Sequence, residues 1–194
     1  KEFELFKKNS QFTDDSVMTI AIGSTILECD GDYRDLYEKT IKTMQYFGRK
    51  YPNAGYGRMF YRWIFDSDPE PYNSFGNGSA MRVSSCGIVG TTLEEVKMLS
   101  KTVTEVTHDH PESIKAAEAV AVAIFYARQG KSKEAIKEVI IRDYYPLNNT
   151  IEELTKTYKF NETAQGTTPQ AFIALFESNN FEDAIRNAIS IGGD

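Results

Sequence analysis

Phe12-Thr13-Asp14-Asp15-Ser16-Val17-Met18-Thr19-Ile20-Ala21-Ile22 sets a hydroxyl and two adjacent carboxylates directly before an apolar run. Over residues 16–28 the apolar positions Val17, Ile20, Ala21, Ile26 and Leu27 fall close to a helical stripe, so the acidic pair is expected at a helix's first turn. An oxygen there satisfies orphan backbone N–H groups and complements the helix dipole, worth about 1 kcal/mol. The same oxygens suit a hard cation, because neighbouring carboxylates repel until one neutralises them, and Mg²⁺ or Ca²⁺ takes oxygen ligands. Taken alone, the stretch favours the cap.

Helical punctuation continues on either side. Leu36, Tyr37, Thr40, Ile41, Met44 and Phe47 keep helical spacing over residues 33–51, and Pro52 ends that segment. A loop then leads to a short aromatic helix through Phe60, Tyr61, Trp63 and Ile64. Thr92-Leu93-Glu94-Glu95 reads as a capping box opening a helix to Val106, and Thr150-Ile151-Glu152-Glu153 reads as a second. Pro111 suits the first turn of an Ala-rich helix over residues 112–129, small enough in side chain to pack at a bundle's centre. Gly130 stops it, and Ser132 caps a helix running to about Asp143. Residues 163–169 read as a polar turn into a helix with Ala171, Phe172, Leu175 and Phe176, and Asn180 with Asp183 starts a last helix to Ile191. Strand alternation nowhere outcompetes these patterns, although Val139-Ile140-Ile141 is ambiguous. The expected architecture is one all-α domain, a compact orthogonal multi-helix bundle.

Composition removes several function classes. A chain of 194 residues with 41 % hydrophobic content can fill one core of ordinary size. Its net charge of -6, with Lys and Arg dispersed, disfavours nucleic-acid or anionic-membrane surfaces. Cys29 and Cys86 form no C-x-x-C, and His108 and His110 are the only imidazoles, so structural zinc lacks ligands and reduced, cytoplasmic cysteines are expected. No stretch approaches a membrane span.

Gly76-Asn77-Gly78-Ser79-Ala80-Met81-Arg82 follows an irregular segment with Pro69 and Pro71. Glycines there permit positive φ and let a ligand reach backbone N–H groups, as a helix start holds phosphate. An isolated turn of this kind is more often ordinary. Thr107-His108-Asp109-His110-Pro111-Glu112 places both histidines on a loop beside a helix start, where hydrogen bonding is commoner than ligand contact and metal ligation is rarest.

Taken together and in this order, the Thr13-Asp14-Asp15 stretch, the 76–82 turn, the 107–112 loop and the closing Gly192-Gly193-Asp194 resemble the ADP-ribosylglycohydrolase family, as does Glu162-Thr163-Ala164-Gln165-Gly166-Thr167-Thr168-Pro169. The resemblance implies a helical fold with two Mg²⁺ ions in a cleft and hydrolysis of the bond between ADP-ribose and an acceptor. It assigns metal ligation to Thr13, Asp14, Asp15 and Asp194, and catalysis to Asp14 and Asp15 without deciding which is the base. Substrate contact falls to Gly76, Asn77, Gly78, Ser79, Met81 and His108. The implied partner is an ADP-ribosylated protein or small ADP-ribosyl compound. Family segments that precede Thr13 and follow Asp194 are expected to be absent, so the chain as given should hold at most one weakly bound cation. Two other readings stand beside this one: a non-catalytic, crystallin-like protein of the same fold, and a hydrolase of another ribosyl or nucleoside substrate.

Overall fold

The computed structural model describes residues 2–193, and among these every regular element is helical. Ten α-helices follow in order: α1 Asp14–Cys29, α2 Leu36–Lys50, α3 Arg58–Phe65, α4 Ser84–Val89, α5 Leu93–Glu105, α6 Pro111–Arg128, α7 Lys133–Asp143, α8 Ile151–Thr157, α9 Ala164–Phe176 and α10 Phe181–Ile191. A 3-10 turn, Asn77–Arg82, precedes α4. The only pairing of strand type among the described residues is an isolated bridge between Gly76 and Thr163. No described helix is long and apolar enough to cross a membrane.

The Ala-rich helix is central, as its sequence implies. Ala117, Ala121, Val122 and Phe125 of α6 belong to a large core shared with α1 to α5, while Ala116, Ala119 and Ala123 belong to a second core with α7 and α9. Small side chains on both faces let helices approach from both sides. At Gly87 of α4, a Cβ would lie 2.4 Å from the carbonyl oxygen of Ala121. A third cluster, Ile151, Leu154, Ile173, Ala174 and Ile191, joins α8, α9 and α10.

Three local expectations are corrected. The buried side of α1 is Val17, Met18, Ala21, Ile22, Thr25, Ile26 and Cys29, whereas Ile20 and Leu27 are 58 % and 79 % exposed. Thr25 joins the core because its hydroxyl donates to the Ala21 carbonyl, which removes the cost of burying it. In α5, Thr92 accepts from Glu95 N–H at 3.1 Å, but the Glu95 carboxylate takes Thr91 N–H and hydroxyl, so the reciprocal bond is displaced by one residue. The box at Thr150 and Glu153 is complete.

The third correction is that α9 begins at Ala164, not after Pro169. Thr163 caps it by accepting from Gly166 N–H, and the Thr163 hydroxyl donates to Asn161. Pro169, the sixth residue of α9, lies inside the helix and removes one intrahelical donor. The ambiguous Val139-Ile140-Ile141 lies within α7, where Ile140 is fully buried.

Candidate active site

Thr13 occupies the N-cap position of α1, yet its side chain makes no capping bond; its hydroxyl instead donates to Asp15 Oδ2 at 2.9 Å. The helix start is anchored differently. Asp14 N–H donates to Ala54 O at 2.8 Å, and Gly55, at φ 97, turns the 51–57 loop past the Asp14 carboxylate. A side chain is disfavoured at that φ, so glycine is what allows the close passage. Beside it, the Tyr56 phenol is pushed up to about 12, by burial first and by the Asp14 charge second.

The glycine-rich turn is held by its neighbours. Asn77 N–H donates to Glu162 O, Thr19 donates its hydroxyl to Met81 O, and the hydroxyls of Ser79 and Ser113 donate to Gly76 O. Neither Gly76 nor Gly78 adopts positive φ, so the turn does not need glycine for backbone freedom. It needs glycine for room. A Cβ at Gly78 would lie 3.3 Å from His108 Nε2, and one at Gly76 would lie 3.6 Å from the same atom. Because Gly76 N–H binds Ser74 Oγ and Asn77 N–H binds Glu162 O, these two donors are not offered to a ligand.

The two histidines divide their roles. His110 caps α6, its Nδ1 accepting from Glu112 N–H at 3.1 Å. His108 is only 5 % exposed, with Nδ1 at 2.7 Å from the Thr107 hydroxyl and its ring 6.0 Å from that of Tyr72. Burial, and after it the charge of Arg82, holds the His108 imidazole well below its usual range, so it is neutral at pH 7. The loop before the glycine turn is tied to this segment, since Asn73 N–H donates to the Asp109 carboxylate.

These pieces face one cavity of about 610 Å³, lined by Asp14, Asp15, Gly76, Asn77, Gly78, Met81 and His108 of the expected residues. That size suits a nucleotide-sized ligand. Ser79 is fully buried behind the wall, with its hydroxyl spent on Gly76 O. Thr13 is not part of the lining and reaches the cavity's edge through Asp15. Asp194 lies outside the described residues, although Gly193 lines the cavity. Among the described residues no group of three His, Cys, Asp or Glu gathers, so the acidic pair has no third such donor there.

Sequence reasoning gave no separate role to Arg82, Tyr72 and Tyr158, which also line the cavity. Arg82 carried a signal, a charge between Met81 and Val83. Its guanidinium is fully buried and its pKa is lowered by burial to about 10, so it remains a cation at neutral pH. Tyr72 sits in an irregular loop where no periodicity marks it.

The family model for ADP-ribosylglycohydrolase matches residues 2–194. The chain belongs to the ADP-ribosylglycohydrolase family. Within the curated proteins it is similar to the ADP-ribosylhydrolase ARH3 of Gallus gallus, with 27 % identity over 151 residues, 70 % of this chain and 40 % of that relative. The chain therefore spans less than half the length of this ADP-ribosylglycohydrolase relative, and the all-α architecture is the one the family membership leads us to expect.

Proposed function

We propose that the chain binds the ADP-ribosyl group in the 610 Å³ cavity and hydrolyses the glycosidic bond that joins ADP-ribose to an acceptor, with Mg²⁺ at the acidic pair. One observation carries this reading: residues from three distant segments, the acidic pair, the glycine turn and His108, line the same cavity. Family membership and the name of the chicken relative supply the substrate class.

The donors fit a hard cation in kind. Asp14 and Asp15 offer carboxylate oxygens at the cavity wall, and the Thr13 hydroxyl lies 2.9 Å from the Asp15 carboxylate. These three residues would hold Mg²⁺, with water or substrate oxygens completing its shell. Bound there, the ion supplies charge neutralisation for the pair and lowers the pKa of water. The chain's own residues do the rest. With a ribosyl group in the cavity, a carboxylate of Asp14 or Asp15 would face the positive charge that an oxocarbenium-like transition state develops at the anomeric carbon, and either would serve to take the proton of the attacking water. Adjacent carboxylates on one helix start cannot flank a sugar from both faces, which favours metal assistance over the paired-carboxylate device. Gly76 and Gly78 leave room for the ligand in front of His108, and Tyr72 closes against that imidazole.

The test is release of ADP-ribose from ADP-ribosylated arginine, serine and nucleic-acid substrates, followed chromatographically with and without Mg²⁺. Asp14→Asn and Asp15→Asn keep shape and lose charge, and each is expected to lower Mg²⁺-dependent release by about 10²-fold or more with unchanged helical circular dichroism. Near wild-type turnover in either variant overturns the metal reading of the pair.

A further inference from the structure

Arg82 is buried without an acidic partner among the described residues, and its position needs a reason. One terminal nitrogen, Nη2, donates to Val103 O at 3.1 Å and Thr104 O at 3.2 Å, the carbonyls of the last turn of α5. A cation there complements the negative end of the helix dipole. The same nitrogen lies 2.9 Å from the Thr107 hydroxyl, which in turn lies 2.7 Å from His108 Nδ1.

Proton counting along this chain decides more than packing does. Nη2 has two N–H groups for three oxygens, so one is shared between the Val103 and Thr104 carbonyls and the other goes to Thr107 Oγ1, which must accept because a guanidinium only donates. Thr107 is fully buried, and its hydroxyl has no third partner among the described residues. If His108 carried its proton on Nδ1, the Thr107 oxygen would accept from both sides and its own O–H would be stranded in the core. With Nδ1 unprotonated, the hydroxyl donates to it, so both protons lying between Arg82 and His108 have acceptors, and the one imidazole proton is left on Nε2, which faces the cavity.

We propose that Arg82 is a positioning residue that, through the Thr107 hydroxyl, locks His108 in the tautomer bearing its proton on Nε2, so that this N–H is presented over Gly78 to an oxygen of the bound ligand. Nε2 makes no hydrogen bond among the described residues, and it faces the two glycines whose missing side chains leave the space open. The depressed basicity of His108 agrees with this, because a neutral ring has a single proton to place. A ring held neutral and fixed in one tautomer can donate to a phosphate or ribose oxygen but cannot accept from it. The site would thereby select an acceptor-rich ligand and reject a donor at that point. The ligand half of this inference rests on the ADP-ribosyl reading above; the tautomer half does not.

The experiment is a long-range proton–nitrogen correlation spectrum of the ¹⁵N-labelled chain without ligand, paired with calorimetric titration of ADP-ribose. With two histidines in the chain, a His110→Gln variant assigns the spectrum. The expected result is an unprotonated Nδ1 and a protonated Nε2 on His108. Thr107→Val should release the lock, giving a mixed or reversed tautomer and ADP-ribose binding weaker by about tenfold, the weight of one hydrogen bond. Thr107→Ser keeps a hydroxyl and should restore both readouts. A purely structural Thr107 would not move the tautomer signal. A wild-type spectrum with the proton on Nδ1 overturns the proposal without any variant, as does a folded Thr107→Val chain that keeps Nε2–H and full affinity. Should the wild-type chain show the expected tautomer and bind no ADP-ribose, the functional reading fails and the lock stands.

Discussion

At the level of single residues, the site is shaped by what is missing as much as by what is present. Gly78 leaves the space before His108 open, and a Cβ there would stand 3.3 Å from Nε2, closer than such contacts normally run. Gly78→Val is therefore expected to push against the imidazole and fill the ligand's path. ADP-ribose should bind at least about tenfold more weakly, while any Mg²⁺ affinity at the proposed Thr13, Asp14 and Asp15 site should be nearly unchanged. Calorimetric titration of each in turn separates them. Equal loss of both, with a lowered melting temperature, would show that Gly78 is a packing residue. The sequence singled out this glycine, and it does line the cavity, but its physical reason was not legible there. Backbone freedom was expected, and the observed φ values show that clearance from a side chain 30 positions away is the cause.

At the level of elements, α6 is the member on which the others are mounted. α4 approaches it closely where Gly87 meets the Ala121 carbonyl, and an added methyl would also fall 2.8 Å from Ile124 Cβ. Gly87→Ala would gain up to about 1 kcal/mol of helix propensity. It would also drive α4 off the backbone of α6, a cost of about 1–3 kcal/mol for overpacking. The expected net effect is a lower urea midpoint. Because α4 follows directly on the glycine turn, a loss of ADP-ribose affinity should accompany it. A midpoint equal to or above wild type would mean that the two helices can part without cost.

For the whole molecule, the buried His108 makes stability depend on pH in a definite direction. Its folded-state pKa lies well below its ordinary value of 6.5, so on acidification the unfolded chain takes up this proton first. Protons then favour the unfolded state, and stability falls as pH drops below about 6.5 towards the folded-state value. The slope from this one group cannot exceed about 1.4 kcal/mol per pH unit. Urea unfolding at pH 7, 6 and 5 should show the fall in the wild-type chain and a flatter profile in His108→Gln. If the two profiles run parallel, His108 is not held neutral by its burial.

Most helix positions, the caps at Ser132, Thr150 and Asn180 and the central place of α6 were readable from residues within about one turn of each other, because hydrogen-bonded caps and apolar periodicity are local properties; the expected cap at Thr13 did not form. Those signals placed nearly every helix and set the acidic pair at the start of α1. They could not say which side of α1 faces inward, since Ile20 and Leu27 are as apolar as the buried Met18 and Ile22 and the packing of α2, the 3-10 turn and α4 chooses between them. Nor could they separate His108 from His110, two positions apart on one loop. His110 is settled by its neighbour Glu112, but the proton of His108 is set by Arg82, 26 positions earlier, acting through Thr107. The order of motifs pointed to a family, and residues brought together across the chain decide what each motif does. The physical reason is that a hydrogen bond or a close approach between distant segments leaves no period in the sequence; it exists only once the helices have packed.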